Sequence, residues 1–104
     1  PKTEQIDMAE VRRLAKELGP DGVRVNSVVP GYIWSAKMEA YFRRLAADRG
    51  VPYEAVHEDV ASRTALHHIP DSAEVADAVV FFASDLSRAV TGQSLDVNGG
   101  HYFD

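Results

Sequence analysis

A chain of 104 residues with 45% hydrophobic and 26% charged residues is bounded to one soluble globular unit, and folding at this size buries somewhat over ~60% of the surface that the unfolded chain exposes. The net charge of −5, with Lys and Arg mixed among Asp and Glu, leaves no basic stripe for a nucleic-acid backbone, and the absence of cysteine excludes a disulfide framework, a thiolate nucleophile and a cysteine-type zinc site. The longest apolar run, Ala78 to Ala83, is far too short to span a bilayer and the first residues are polar, so a cytoplasmic location is expected.

Met8, Val11, Leu14, Ala15 and Leu18 recur at three- and four-residue spacing and predict a helix with Arg12, Arg13, Lys16 and Glu17 on its outer face. Asp7 with Glu10 can cap its start, Gly19 is expected to end it in the left-handed conformation, and Pro20 prevents its continuation. Val23 to Val29 is rich in β-branched residues and closed by Pro30, so it reads as a strand followed by a loop from Pro30 and Gly31. The helical period returns from Met38 through Tyr41, Phe42 and Leu45 to Gly50. Pro52 suits the first turn of a further helix carrying Tyr53, Val56 and Val60, which makes residues 37–69 a helical hairpin.

A fourth helix starts after Pro70, where Asp71 and Glu74 match a capping box, and it is apolar nearly all round through Val75, Val79, Phe82 and Ala83. That pattern predicts burial on more than one side. Ser94 to Val97 reads as a second strand ended by Gly99 and Gly100. Helix, strand, helices, strand implies a parallel pair joined by a right-handed crossover, and two parallel strands leave the edge of the first uncovered unless the sheet continues sideways. The expected class is therefore α/β: the C-terminal portion of a doubly wound parallel sheet, with two parallel strands and about four helices.

The segments Leu14-Ala15-Lys16-Glu17-Leu18-Gly19 and Val23-Arg24-Val25-Asn26-Ser27-Val28-Val29-Pro30-Gly31 resemble the helix-to-strand passage of short-chain dehydrogenases/reductases. Glu74-Val75-Ala76, Phe81-Phe82-Ala83-Ser84-Asp85, Val90-Thr91-Gly92-Gln93 and Val97-Asn98-Gly99-Gly100 are similar to the last helix and strand of that family, which more often has aspartate where Asn98 stands. The resemblance runs from about Leu14 to Gly100. It implies an oxidoreductase using NAD or NADP on a Rossmann-like sheet, acting on an alcohol or ketone, with this chain supplying the last two strands and the substrate-side helices. The family also uses a glycine-rich turn under the cofactor phosphates and a tyrosine with a lysine four residues later. This sequence contains neither: by the family's spacing the lysine falls near Glu4 and the tyrosine before Pro1, and Lys2 lies on another helix face. Pro1 itself fits either removal of an initiator methionine or a cut inside a longer protein.

By the same resemblance Pro30, Gly31, Ile33 and Ser35 are candidate cofactor-binding residues: Ile33 backbone groups would meet the nicotinamide carboxamide, and Ser35 stands where many relatives carry a threonine. From the residues alone the loop reads as a strand-ending turn. Tyr32, Trp34, Met38, Tyr41 and Phe42 are candidates for an apolar substrate pocket, with core packing as the other reading of aromatics at helical spacing. His57, His67, His68 and His101 lack metal-ligand spacing and read as loop or surface residues; Asp48, Glu54, Glu58 and Asp59 read as a solvated acidic face. The expected partners are an N-terminal half or a second copy joined through the last helix and strand. The alternatives are a non-catalytic association module that also uses the Gly99 to Phe103 tail, or a degraded gene product.

Overall fold

The computed structural model describes residues 7–102, so Lys2, Glu4 and Phe103 lie outside the described residues. Four α-helices and two strands follow in chain order: α1 (Met8–Leu18), β1 (Ser27–Pro30), α2 (Ala36–Arg49), α3 (Tyr53–Ala61), α4 (Ser72–Ala83) and β2 (Ser94–Val97). The strands form a parallel pair, fixed by hydrogen bonds from Ser27 N–H to Gln93 C=O at 2.9 Å and from Gly31 N–H to Val97 C=O at 3.3 Å. Among the described residues the sheet has no third strand, so each strand keeps one unpaired edge.

The chain divides into two compact units. Within the described residues one comprises 7–29 and 77–95, the other 30–76 and 96–102. In the first, α1 buries Val11 and Ala15, the inward stripe of its period. Asp7 caps the helix by accepting from Ala9 N–H at 3.0 Å, whereas Glu10 turns to Arg13 instead of completing a cap. Gly19 is right-handed at φ −55°. The chain tightens through a 3₁₀ turn over Gly19–Asp21, which accepts Pro20 in its first turn, and the left-handed residue is Gly22 at φ 76°.

The first strand is also shorter than the β-branched run predicts. Val23 to Asn26 lie outside it because side chains take over the ladder: Val25 N–H donates to Thr91 Oγ1 at 3.0 Å, Asn26 Nδ2 donates to Val90 C=O at 3.0 Å, and Gln93 N–H donates to Asn26 Oδ1 at 3.0 Å. Ser87, with no exposed surface, supplies a polar hub, accepting from Arg24 at 2.9 Å and lying 2.8 Å from Phe81 C=O.

In the second unit α2 and α3 pack on each other around Phe42, Ala46, Val56, Ala61 and Ile69. Ser35 caps α2 by accepting from Met38 N–H at 3.1 Å, and Gly50 closes the helix in the left-handed conformation.

The capping box at the start of α4 is present in full: Glu74 N–H donates to Asp71 Oδ1 and Asp71 N–H to Glu74 Oε1, both at 2.9 Å. The hydrogen bond from His68, at 2.8 Å, and then the Asp71 N–H hold the Glu74 carboxyl below its ordinary 4.5. A carboxyl lowered on folding stabilises above its unfolded value and loses that contribution as pH falls through the folded one. Amide protection in the first turn of α4 is therefore expected to persist above pH 4.5 and to fall below it. Glu74→Gln should flatten that dependence in hydrogen exchange.

The body of α4 departs from expectation. None of its residues is buried, and Val79, Val80 and Phe81 are 53%, 64% and 38% exposed. An all-round apolar helix needs cover on several sides, and the described residues cover too few of them. Among the described residues no helix is long and apolar enough to cross a membrane.

Candidate functional site

The candidate residues gather where β1 ends. The chain leaves Pro30 into a loop held at both ends: Gly31 N–H reaches Val97 C=O, and Trp34 N–H donates to Pro70 C=O at 2.7 Å, forming a parallel bridge with Asp71. Gly31 has to be glycine, since a Cβ there would lie 2.7 Å from Asn98 Cβ and 3.5 Å from its Cα. Between the tethers, neither the N–H nor the C=O of Ile33 is hydrogen-bonded within the described residues, although the residue is half-buried. A backbone donor and acceptor left unbonded on one residue can meet a ligand or water.

Pro30 and Ser35 flank this point, both exposed, and Ser35 is occupied as the cap of α2. The hydroxyl accepts in that role, which leaves its hydrogen for another acceptor.

Tyr32, Met38, Tyr41 and Phe42 line one cavity of about 220 Å³ in the groove of the α2–α3 hairpin. Leu45, Val56 and Val60 complete its apolar wall. Trp34 is not part of that lining. Its ring lies 5.6 Å from Phe42 and 5.0 Å from His57, so it backs the wall. Phe42 is at once cavity lining and core, being 4% exposed, while Tyr41 is 50% exposed. Pocket and packing are thus alternatives only for the other residues.

Two further groups belong here. Arg49, Asp59 and Arg63 stand along the cavity, with Arg63 paired to Asp59 at 2.8 Å. His57, expected at the surface, is half-buried among Trp34, Phe42 and Tyr53. The signal was in the spacing: residues 53, 56, 57 and 60 form one helical stripe. His67 and His68 are exposed and pair with Glu58 and Glu74. His101 stacks on Tyr32 with ring centroids 5.2 Å apart. Among the described residues no His, Asp and Glu cluster could hold a metal ion. Asp48, Glu54, Glu58 and Asp59 are all exposed.

Comparison with known proteins places this geometry. Residues 8–102 match the family model described as enoyl-(acyl carrier protein) reductase. The chain is 37% identical over 89 residues to the short-chain reductase protein NovJ of Streptomyces niveus, covering 86% of this chain and 32% of the relative. It is 32% identical over 97 residues to an acetoacetyl-CoA reductase of Rhizobium meliloti, covering 93% and 36%. A short-chain dehydrogenase family protein of Francisella tularensis superposes with a TM-score of 0.74 at 26% identity, covering 90% of this chain and 39% of that one. Sorbitol-6-phosphate 2-dehydrogenase of Erwinia amylovora does so with 0.74 at 26%, covering 93% and 38%. The chain spans about a third of the length of the curated relatives it matches. With its parallel strands, its helix order and the family match over nearly all described residues, the chain belongs to the short-chain dehydrogenase/reductase family of oxidoreductases.

Proposed function

We propose that this chain is the C-terminal portion of an NAD- or NADP-dependent enzyme interconverting an alcohol and a ketone, inactive without the cofactor-phosphate turn and the tyrosine–lysine pair. The observation that carries the reading is the loop at the carboxyl end of β1, the position at which open α/β sheets take ligands, with the backbone of Ile33 unbonded. A carboxamide offers the complementary C=O and NH₂. Pro30, Gly31 and Ile33 thus fit the nicotinamide end of the cofactor, and the Ser35 hydroxyl can donate to it while still capping α2.

When bound, a nicotinamide supplies or accepts the hydride. Tyr32, Trp34, Met38, Tyr41 and Phe42 would hold the apolar part of the substrate. Relatives named for acetoacetyl-CoA and for sorbitol 6-phosphate support the alcohol or ketone class and nothing narrower. Calorimetric titration of NADH and NADPH into the chain, with circular dichroism to show that it is folded, tests this reading. No binding up to millimolar cofactor is expected; micromolar binding would contradict it, because a complete site would then exist without the phosphate turn.

A second reading, association without catalysis, draws on the exposed Val79, Val80 and Phe81 of α4. Contiguous exposed apolar residues on a helix mark a surface that another element covers. An N-terminal half or a second copy, meeting the last helix and strand, would do so in either reading.

A further inference from the structure

Asn98 sits 5% exposed directly after β2, against Gly31 of the site loop, and its amide makes two kinds of bond. Its Oδ1 accepts from Gly100 N–H at 2.8 Å and from His101 N–H at 3.1 Å, which identifies that atom as the oxygen. Its Nδ2 donates to Tyr102 C=O at 3.2 Å. An ionised carboxylate could accept the first two bonds and could not donate the third. The segment that Nδ2 fastens carries His101, whose ring rests on Tyr32 at the cavity.

We infer that Asn98 is a positioning residue whose amide nitrogen straps the chain after β2 across the Pro30–Ser35 loop, so that His101 forms one wall of the site beside Tyr32. The inference rests on the reading of that loop as the ligand site. A ligand lying on Tyr32 meets an imidazole tilted 38° to that ring, and the width of the site there is set by how firmly the strap is held. Tyr102 C=O takes the Nδ2 bond, and the Tyr102 side chain is 44% exposed. The Nδ2 bond is therefore what fastens the strap beyond His101.

Asn98→Asp isolates the donor. The expected result is loss of the nuclear Overhauser contacts between the Tyr32 and His101 rings, while the Gly100 and His101 amides keep their slow exchange because the acceptor is retained. Asn98→Ala should lose both. Ring contacts that persist in Asn98→Asp would overturn the inference. So would a wild-type chain in which the two rings show no contact and the Asn98 side-chain amide exchanges at the solvent rate, a measurement that decides the matter even where a variant fails to fold. Neither arm contains cofactor, so failure of nicotinamide binding and failure of the strap are read separately.

Discussion

Gly100→Ala is expected to destabilise the chain by about 2–5 kcal/mol, because two costs add at one position. Gly100 has φ 82°, and an L-residue pays about 1–2 kcal/mol for the left-handed conformation. The added methyl would also lie 2.5 Å from Ala65 Cβ and 3.2 Å from Ala65 N, an overpacking that costs about 1–3 kcal/mol. Neither can be relieved by a small shift, since Gly100 C=O accepts from Ala65 N–H at 2.9 Å and Gly99 C=O from Leu66 N–H at 2.8 Å. Gly50→Ala is the control: its φ is 69°, but nothing lies within 4 Å of the new methyl, so only the conformational cost applies. Urea midpoints of the two variants measure the difference. Equal losses would show that the close approach to Ala65 does not exist.

Phe42→Ala should cost about 3–5 kcal/mol, the range for removing a fully packed aromatic. Phe42 is 4% exposed, belongs to the cluster formed with Ala46, Val56, Ala61 and Ile69, and supports the rings of Trp34 and His57. A chain of this size is held by only about 5–15 kcal/mol in total, so the loss is a large share of it. Trp34 is the single tryptophan, and its fluorescence reports directly on this unit. A red shift in water, with a lowered urea midpoint, is expected. Unchanged Trp34 emission would mean that Phe42 does not pack against it.

Both predictions concern elements that were legible in different degrees. The pattern of apolar residues located all four helices and the second strand, because period and caps act locally: Asp71 and Glu74 are three apart and find each other without help from the rest of the fold. The first strand was legible in composition and overlong, since nothing in Val23 to Asn26 announces that Thr91 and Val90, far along the chain, will intercept its hydrogen bonds. The end of α1 failed for a similar reason. Gly19 and Gly22 both offer a left-handed residue, and a tolerated Pro20 inside the 3₁₀ turn moves the choice to the later one.

The site was legible as a set of positions more than as geometry. Four of the five expected pocket residues line one cavity, yet the sequence could not place Trp34 behind its wall or His57 against Trp34, because those positions follow from how α3 is turned against α2. Nor did it reveal the contact of His101 with Tyr32, which depends on the bonding of Asn98. The burial expected for α4 is not found: among the described residues none of the helix is buried.

That mismatch gives the account its most direct test. Sedimentation velocity of the folded chain over a wide concentration range asks whether the apolar surface of α4 and the unpaired strand edges need cover. Self-association that strengthens with concentration, and weakens in Val80→Lys, is the predicted result. A chain that stays monomeric throughout, and still unfolds cooperatively, would contradict the claim that this is the C-terminal portion of a larger dehydrogenase sheet.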